Sequence, residues 1–119
     1  MQTRAEVEPW LNPQQLPATA QLYLNGLDPK HPIISSIYAD LQGLPSILIH
    51  VGNDEILLDD SNRLAAKLQS TGGDVTLKVW DDMWHVFHAF AENVPEARQA
   101  IDEIGDYVIE KLSQNIKID

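Results

Sequence analysis

Two stretches place ionisable side chains just past apolar runs. Asp54 and Glu55 follow Ile47-Leu48-Ile49-His50-Val51 through Gly52-Asn53, and His85 lies in Asp82-Met83-Trp84-His85-Val86-Phe87 after Val75-Thr76-Leu77-Lys78-Val79-Trp80. A carboxylate and an imidazole make up the acid–base part of a Ser-His-Asp triad. The carboxylate orients the imidazole and stabilises imidazolium, and the imidazole takes the proton from a serine hydroxyl. Asp54 and His85 are 31 residues apart, a length that one helix and one strand use up almost completely. Both would then emerge at one sheet edge, the carboxyl edge where ligands and catalytic groups gather in open α/β sheets. Plainer readings stand beside this one: a turn aspartate that bonds its own backbone, and a histidine packed in a loop. Glu55, Asp59 and Asp60 are rival acids.

The third member of a triad is not evident. The serines are Ser35, Ser36, Ser46, Ser61, Ser70 and Ser113; none lies in Gly-x-Ser-x-Gly, and no glycine-rich run offers oxyanion amides. His85-x-x-His88 is a weak metal signal, because a three-ligand site needs a further group and nothing points to one. No metal is therefore expected. His50, inside a strand, reads as a hydrogen-bonded core residue, and His31 as a surface loop residue.

The elements that must carry these residues follow from periodicity. Residues 1–44 are broken by Pro9, Pro13, Pro17, Pro29, Pro32 and Gly26, leaving room for one short helix over Pro13 to Leu24 with Asn12 as its cap and Leu16, Ala20, Tyr23 and Leu24 as its stripe. Ile47 to Val51, almost wholly apolar, reads as a strand covered on both faces. A helix follows, with Asp59-Asp60-Ser61 at its start, Leu64, Ala65 and Leu68 inward, and Gly72-Gly73 closing it. Val75, Leu77 and Val79 alternate with Thr76, Lys78 and Trp80, a strand with one wetter face near a sheet edge. Pro95 opens a last helix whose Ala97, Ala100, Ile101, Ile104, Val108 and Leu112 keep helical spacing. Strand, helix, strand, helix implies an α/β class with parallel pairing and a right-handed crossover.

Composition narrows the function classes. The chain has 119 residues, no cysteine, and 18 acids against 8 bases, a formal charge of −10. Disulfides, thiol nucleophiles and thiolate zinc sites are excluded, and the negative charge disfavours nucleic acid and anionic lipid as partners. No apolar run approaches a membrane span. Met1-Gln2-Thr3-Arg4 has no basic region followed by an apolar core, so the expected location is cytoplasmic.

The run Gly43-Leu44-Pro45-Ser46-Ile47-Leu48-Ile49-His50-Val51-Gly52-Asn53-Asp54-Glu55-Ile56-Leu57-Leu58-Asp59-Asp60-Ser61, followed by Val79-Trp80-Asp81-Asp82-Met83-Trp84-His85-Val86-Phe87, resembles the C-terminal part of the hormone-sensitive-lipase-like branch of α/β-hydrolase carboxylesterases. Tyr38-Ala39-Asp40-Leu41 and Pro95-Glu96-Ala97 resemble it too. The resemblance covers the chain beyond about residue 30. It implies that Asp54 is the triad acid and His85 the triad base and acid, with Trp84, Val86 and Phe87 forming part of a substrate-pocket wall. It also implies the last two parallel strands of an α/β-hydrolase sheet with flanking helices over residues 45–119, an incomplete sheet, preceded by an irregular and helical segment over residues 1–44. That family's glycine-rich oxyanion motif and nucleophile elbow lie upstream of this region.

Two functions are carried forward. One is carboxylic-ester hydrolysis by a parent protein, without cofactor, on a small-molecule ester, with these 119 residues inactive alone. The other is a non-catalytic module for self-association or partner binding. In either case a free apolar sheet edge predicts a homo-oligomer.

Overall fold

A computed structural model describes residues 12 and 14–116. The elements are α1 (Leu16–Leu24), β1 (Ile47–Gly52), α2 (Leu58–Ser70), β2 (Val75–Trp80) and α3 (Pro95–Ile116), with short 3-10 helices at Ser36–Tyr38 and Phe87–Phe90. The strands pair in parallel, with Ile47 against Val75, His50 against Lys78 and Gly52 against Trp80. A parallel pair needs a crossover, and α2 supplies it.

The register sorts side chains onto two faces. Leu48, His50, Thr76 and Lys78 share a hollow with Glu103, Asp106 and Tyr107 of α3, so α3 covers that face and α2 the other. Trp80 belongs to the α3 face and is buried with Met83, Phe87, Ala97 and Ala100. This corrects the alternation expected for β2. Val79, expected inward, is partly exposed, whereas Trp80, expected on the wetter face, is core. The reason is the close approach of α3, whose Ala97 and Ala100 leave room for an indole. Lys78 remains on that face by extending to Glu103, 2.8 Å away.

The ends of α2 follow local chemistry. Asp59 and Asp60 stand in its first turn, where carboxylates are favoured by the helix dipole. Gly72 takes φ +79° just past its end, a conformation glycine adopts without the clash a Cβ brings. The expectations for α1 and α3 are corrected. α1 begins at Leu16 with Pro17 in its first turn, and Asn12 forms a tight turn in which its Oδ1 accepts from the Gln14 N–H at 3.0 Å; Pro13 lies outside the described residues. Of the α1 stripe, only Leu24 is buried, and Tyr23 is exposed. The α3 stripe is likewise covered only at its start, leaving Ile101, Val108 and Leu112 substantially exposed.

The segment before β1 is tied down by one lysine. Lys67 of α2 donates to the carbonyls of Ile37 and Ala39, which satisfies two loop carbonyls and brings the Ser36–Tyr38 turn against α2. Among the described residues, no helix is long and apolar enough to cross a membrane.

Candidate active site

The carboxyl ends of β1 and β2 are laced together by main-chain hydrogen bonds. The Asn53 N–H donates to the Trp80 carbonyl at 2.8 Å, and the Asp54 N–H to the Met83 carbonyl at 2.9 Å. The two loops approach so closely at Gly52 that a Cβ there would collide with the Met83 carbonyl. Glycine at this position is a packing requirement.

The turn decides which acid meets the histidine. Glu55 is 5% exposed. One of its carboxylate oxygens, Oε2, accepts from the Gly52 N–H at 2.8 Å; the other, Oε1, lies 3.3 Å from His85 Nδ1. The family resemblance implies Asp54 opposite His85, but the structure pairs Glu55 there. Asp54 spends its main-chain N–H on the Met83 carbonyl, and the chain then folds back so that the next side chain, one methylene longer, returns to the end of β1. Glu55 was visible in the sequence as a rival acid. What singles it out is the reach of its carboxylate back over the strand end, for which the sequence carries no periodic signal.

The histidine is held from its own side too. Val86, immediately after it, has φ +51°, a left-handed conformation that costs a β-branched residue on the order of 1–3 kcal/mol. Phe87 repays that cost by packing, being 1% exposed against Trp80. The result turns His85 toward Glu55 with Nδ1 facing the carboxylate. A carboxylate only accepts, so Nδ1 is the donor of this contact, and in the neutral ring with that tautomer Nε2 carries the lone pair that can take a proton.

Glu55, His85, Val86 and Phe87 line a hollow of about 220 Å³ together with His50, Leu57, Ser61 and His88. Of the three residues expected in a pocket wall, Val86 and Phe87 border this hollow. Trp84 instead packs edge-on against Phe90, with ring centroids 5.4 Å apart. Ser61 is the serine that shares the hollow, and it sits in the first turns of α2 rather than in a strand-turn-helix elbow.

Two histidines outside the expected pair also meet. His50 Nδ1 of β1 is 3.1 Å from His88 Nε2 of the Phe87–Phe90 turn. Burial pushes both rings below the ordinary histidine pKa, and for His50 the proximity of His88 adds to the effect. In the sequence His50 is a hydrogen-bonded strand residue and His88 half of a weak metal motif; nothing in either segment signals their pairing. Among the described residues, no group of three or more His, Cys, Asp or Glu side chains is arranged to hold a metal ion.

Relatives place this geometry in context. Residues 1–89 match the family described as alpha/beta hydrolase fold. An acetyl-hydrolase of Streptomyces hygroscopicus is 37% identical over 115 residues, which are 97% of this chain and 38% of that protein. A crystal structure of EstE5 soaked with ethyl alcohol superposes with a TM-score of 0.90 at 50% identity, covering 93% of this chain and 38% of that one. The crystal structure of an esterase from the bacterial hormone-sensitive lipase family gives a TM-score of 0.88 at 44% identity over 92% of this chain and 37% of its own. The chain thus spans less than two fifths of the length of the relatives it matches. With a parallel strand–helix–strand–helix unit that carries an acid and a histidine at its carboxyl edge, this chain belongs to the alpha/beta hydrolase fold family.

Proposed function

We propose that these residues supply the acid–base half of a serine carboxylesterase site, with Glu55 as the acid that orients His85. The observation that carries the reading is the buried Glu55 carboxylate shared between the Gly52 N–H and His85 Nδ1. A carboxylate fixed in this way holds the imidazole in one tautomer and stabilises the imidazolium that forms when Nε2 takes a serine proton. The nucleophile and the oxyanion amides come from outside these 119 residues, and the substrate is a small-molecule carboxylic ester. Val86 and Phe87 form the apolar wall beside His85. Asp54 acts on the turn, through its main-chain bond to Met83.

Among the described residues, the acid and the base stand with no serine in a strand-turn-helix elbow. Triad members act as a unit, so the isolated chain gives only slow, non-saturating hydrolysis of p-nitrophenyl esters. The decisive experiment grafts these residues in place of the matching part of EstE5 and measures p-nitrophenyl butyrate turnover. Retained saturable turnover that disappears in His85→Ala supports the reading. A folded graft without activity, beside an active parent, ends it.

A self-association role is supported by a different observation. The outer edge of β1 has no strand beside it among the described residues, and Val108, Ile109 and Leu112 of α3 stand exposed. The isolated chain therefore associates as a homo-oligomer. A monomer by light scattering at micromolar concentration counts against this.

A further inference from the structure

We propose that His50 and His88 form a positioning pair that, by sharing one proton, docks the loop carrying His85 onto the strand that leads to Glu55. The inference rests on the reading of Glu55 and His85 as an acid–base pair. It goes beyond that reading by giving a structural task to two histidines that do not touch the reacting atoms.

The geometry supports it at each step. His50 lies on β1, two residues before Gly52, whose N–H binds Glu55. His88 lies three residues after His85, on the 3-10 turn that follows the strained Val86. Their ring nitrogens are 3.1 Å apart and the rings are nearly parallel, with an interplanar angle of 17°. The contact joins residues 38 apart in sequence and spans the two elements whose relative position sets the distance from Glu55 to His85. Phe87 packs directly on the His88 ring at 4.1 Å between centroids, so any displacement of His88 moves the buried anchor beside the catalytic histidine.

Proton counting makes the pair conditional. A hydrogen bond between two imidazoles needs one nitrogen with a proton and one without. If His50 Nδ1 accepts, its own proton is on Nε2, and His88 must donate from Nε2; if His50 Nδ1 donates, His88 Nε2 is bare and its proton is on Nδ1. The two neutral rings therefore always share the same tautomer. One added proton leaves an imidazolium donating to its neutral partner; a second leaves two donors facing one another, and the contact breaks. The charges around the pair are mixed. His50 faces Lys78 of β2 and Glu103 of α3 and shares a hollow with Asp106, Tyr107 and Glu110; His88 faces Glu55 and lies with His85 on the central hollow. Burial favours neutral rings at both positions.

Ring-nitrogen NMR and amide hydrogen exchange on the 119-residue chain test this, comparing the natural sequence with His50→Leu and His50→Asn. In the natural chain both rings show one common tautomer at pH 7.5, and the His85 Nδ1–H signal fades on acidification as the pair takes its second proton. His50→Leu removes the contact, weakens the His85 Nδ1–H signal and speeds exchange of the loop amides of Phe87 and Ala89 by about tenfold. His50→Asn places an amide where Nδ1 was. It restores protection at neutral pH, and because a protonated His88 can still donate to the amide oxygen, it removes the acid sensitivity. Mixed tautomers, or an acid response in His50→Asn equal to that of the natural chain, overturn the proposal. If His50→Leu does not fold, the tautomers and the His50→Asn profile decide by themselves. These readouts do not depend on turnover: an inactive EstE5 graft with an intact His85 Nδ1–H signal defeats the hydrolysis reading and leaves the pair standing.

Discussion

Glu55 closes the end of the strand that precedes it: its carboxylate accepts the Gly52 N–H at 2.8 Å and meets His85 Nδ1 at 3.3 Å with its other oxygen. A single buried acid thus fixes both the strand terminus and the orientation of the imidazole.

This arrangement separates two adjacent acids by experiment. Glu55→Gln removes the charge that stabilises imidazolium and can turn a donor toward His85, so in the active graft it lowers kcat on the order of 10³–10⁴-fold. Asp54→Asn leaves kcat within a few fold, since the role of Asp54 is carried by its main chain. Equal losses in the two variants would place the acid function elsewhere.

Gly52→Ala drives a methyl into the Met83 carbonyl. Backbone cannot yield as a flexible side chain can, and overpacking of this kind costs about 1–3 kcal/mol. A lowered urea midpoint with an unchanged m-value is the expected result. The His85 Nδ1–H signal should weaken as well, because the two loops are pushed apart.

Val86 offers a gain in stability. Asparagine tolerates the left-handed region far better than a β-branched residue, so Val86→Asn stabilises the chain by about 1 kcal/mol, read as a higher midpoint in chemical denaturation. Phe87→Ala does the reverse, losing about 3–5 kcal/mol from the core under the site. A neutral result for Val86→Asn would show that the φ of +51° carries no strain.

Stability depends on pH through His50 and His88. Both are lowered from the histidine value of 6.5 in the fold, so the unfolded chain takes up these protons first. Their contribution is complete above pH 6.5 and is lost as pH falls below 6.5 toward their lowered values. Asp74 and Glu103 are lowered from carboxylate values of 3.8 and 4.5 and act in a more acid window. Denaturation between pH 7.5 and 5.5 thus isolates the histidines. The expected fall in stability is flattened in a His50→Gln, His88→Gln double variant, and an equal slope in both proteins would refute the assignment.

Periodicity and connectivity by themselves determine the architecture. The apolar run Ile47 to Val51, the stripe of α2, Gly72 past its end and Pro95 at the start of α3 each impose a local conformation, and a helix between consecutive strands imposes parallel pairing. The same reasoning brought residues 54–55 and His85 to one edge, because strand length alone carries both loops there. It could not choose between Asp54 and Glu55. That choice depends on where the Asp54 N–H finds an acceptor, and the acceptor is Met83, in the other loop. Trp80 turned inward for a comparable reason: the small Ala97 and Ala100 of a distant helix make room for it. The His50–His88 contact was hidden too, since each ring taken alone is an ordinary residue in its segment. Local pattern dictates which face and which end of an element a side chain occupies; the partner it meets there is set by atoms from elsewhere in the chain, and only the assembled structure brings those within hydrogen-bonding range.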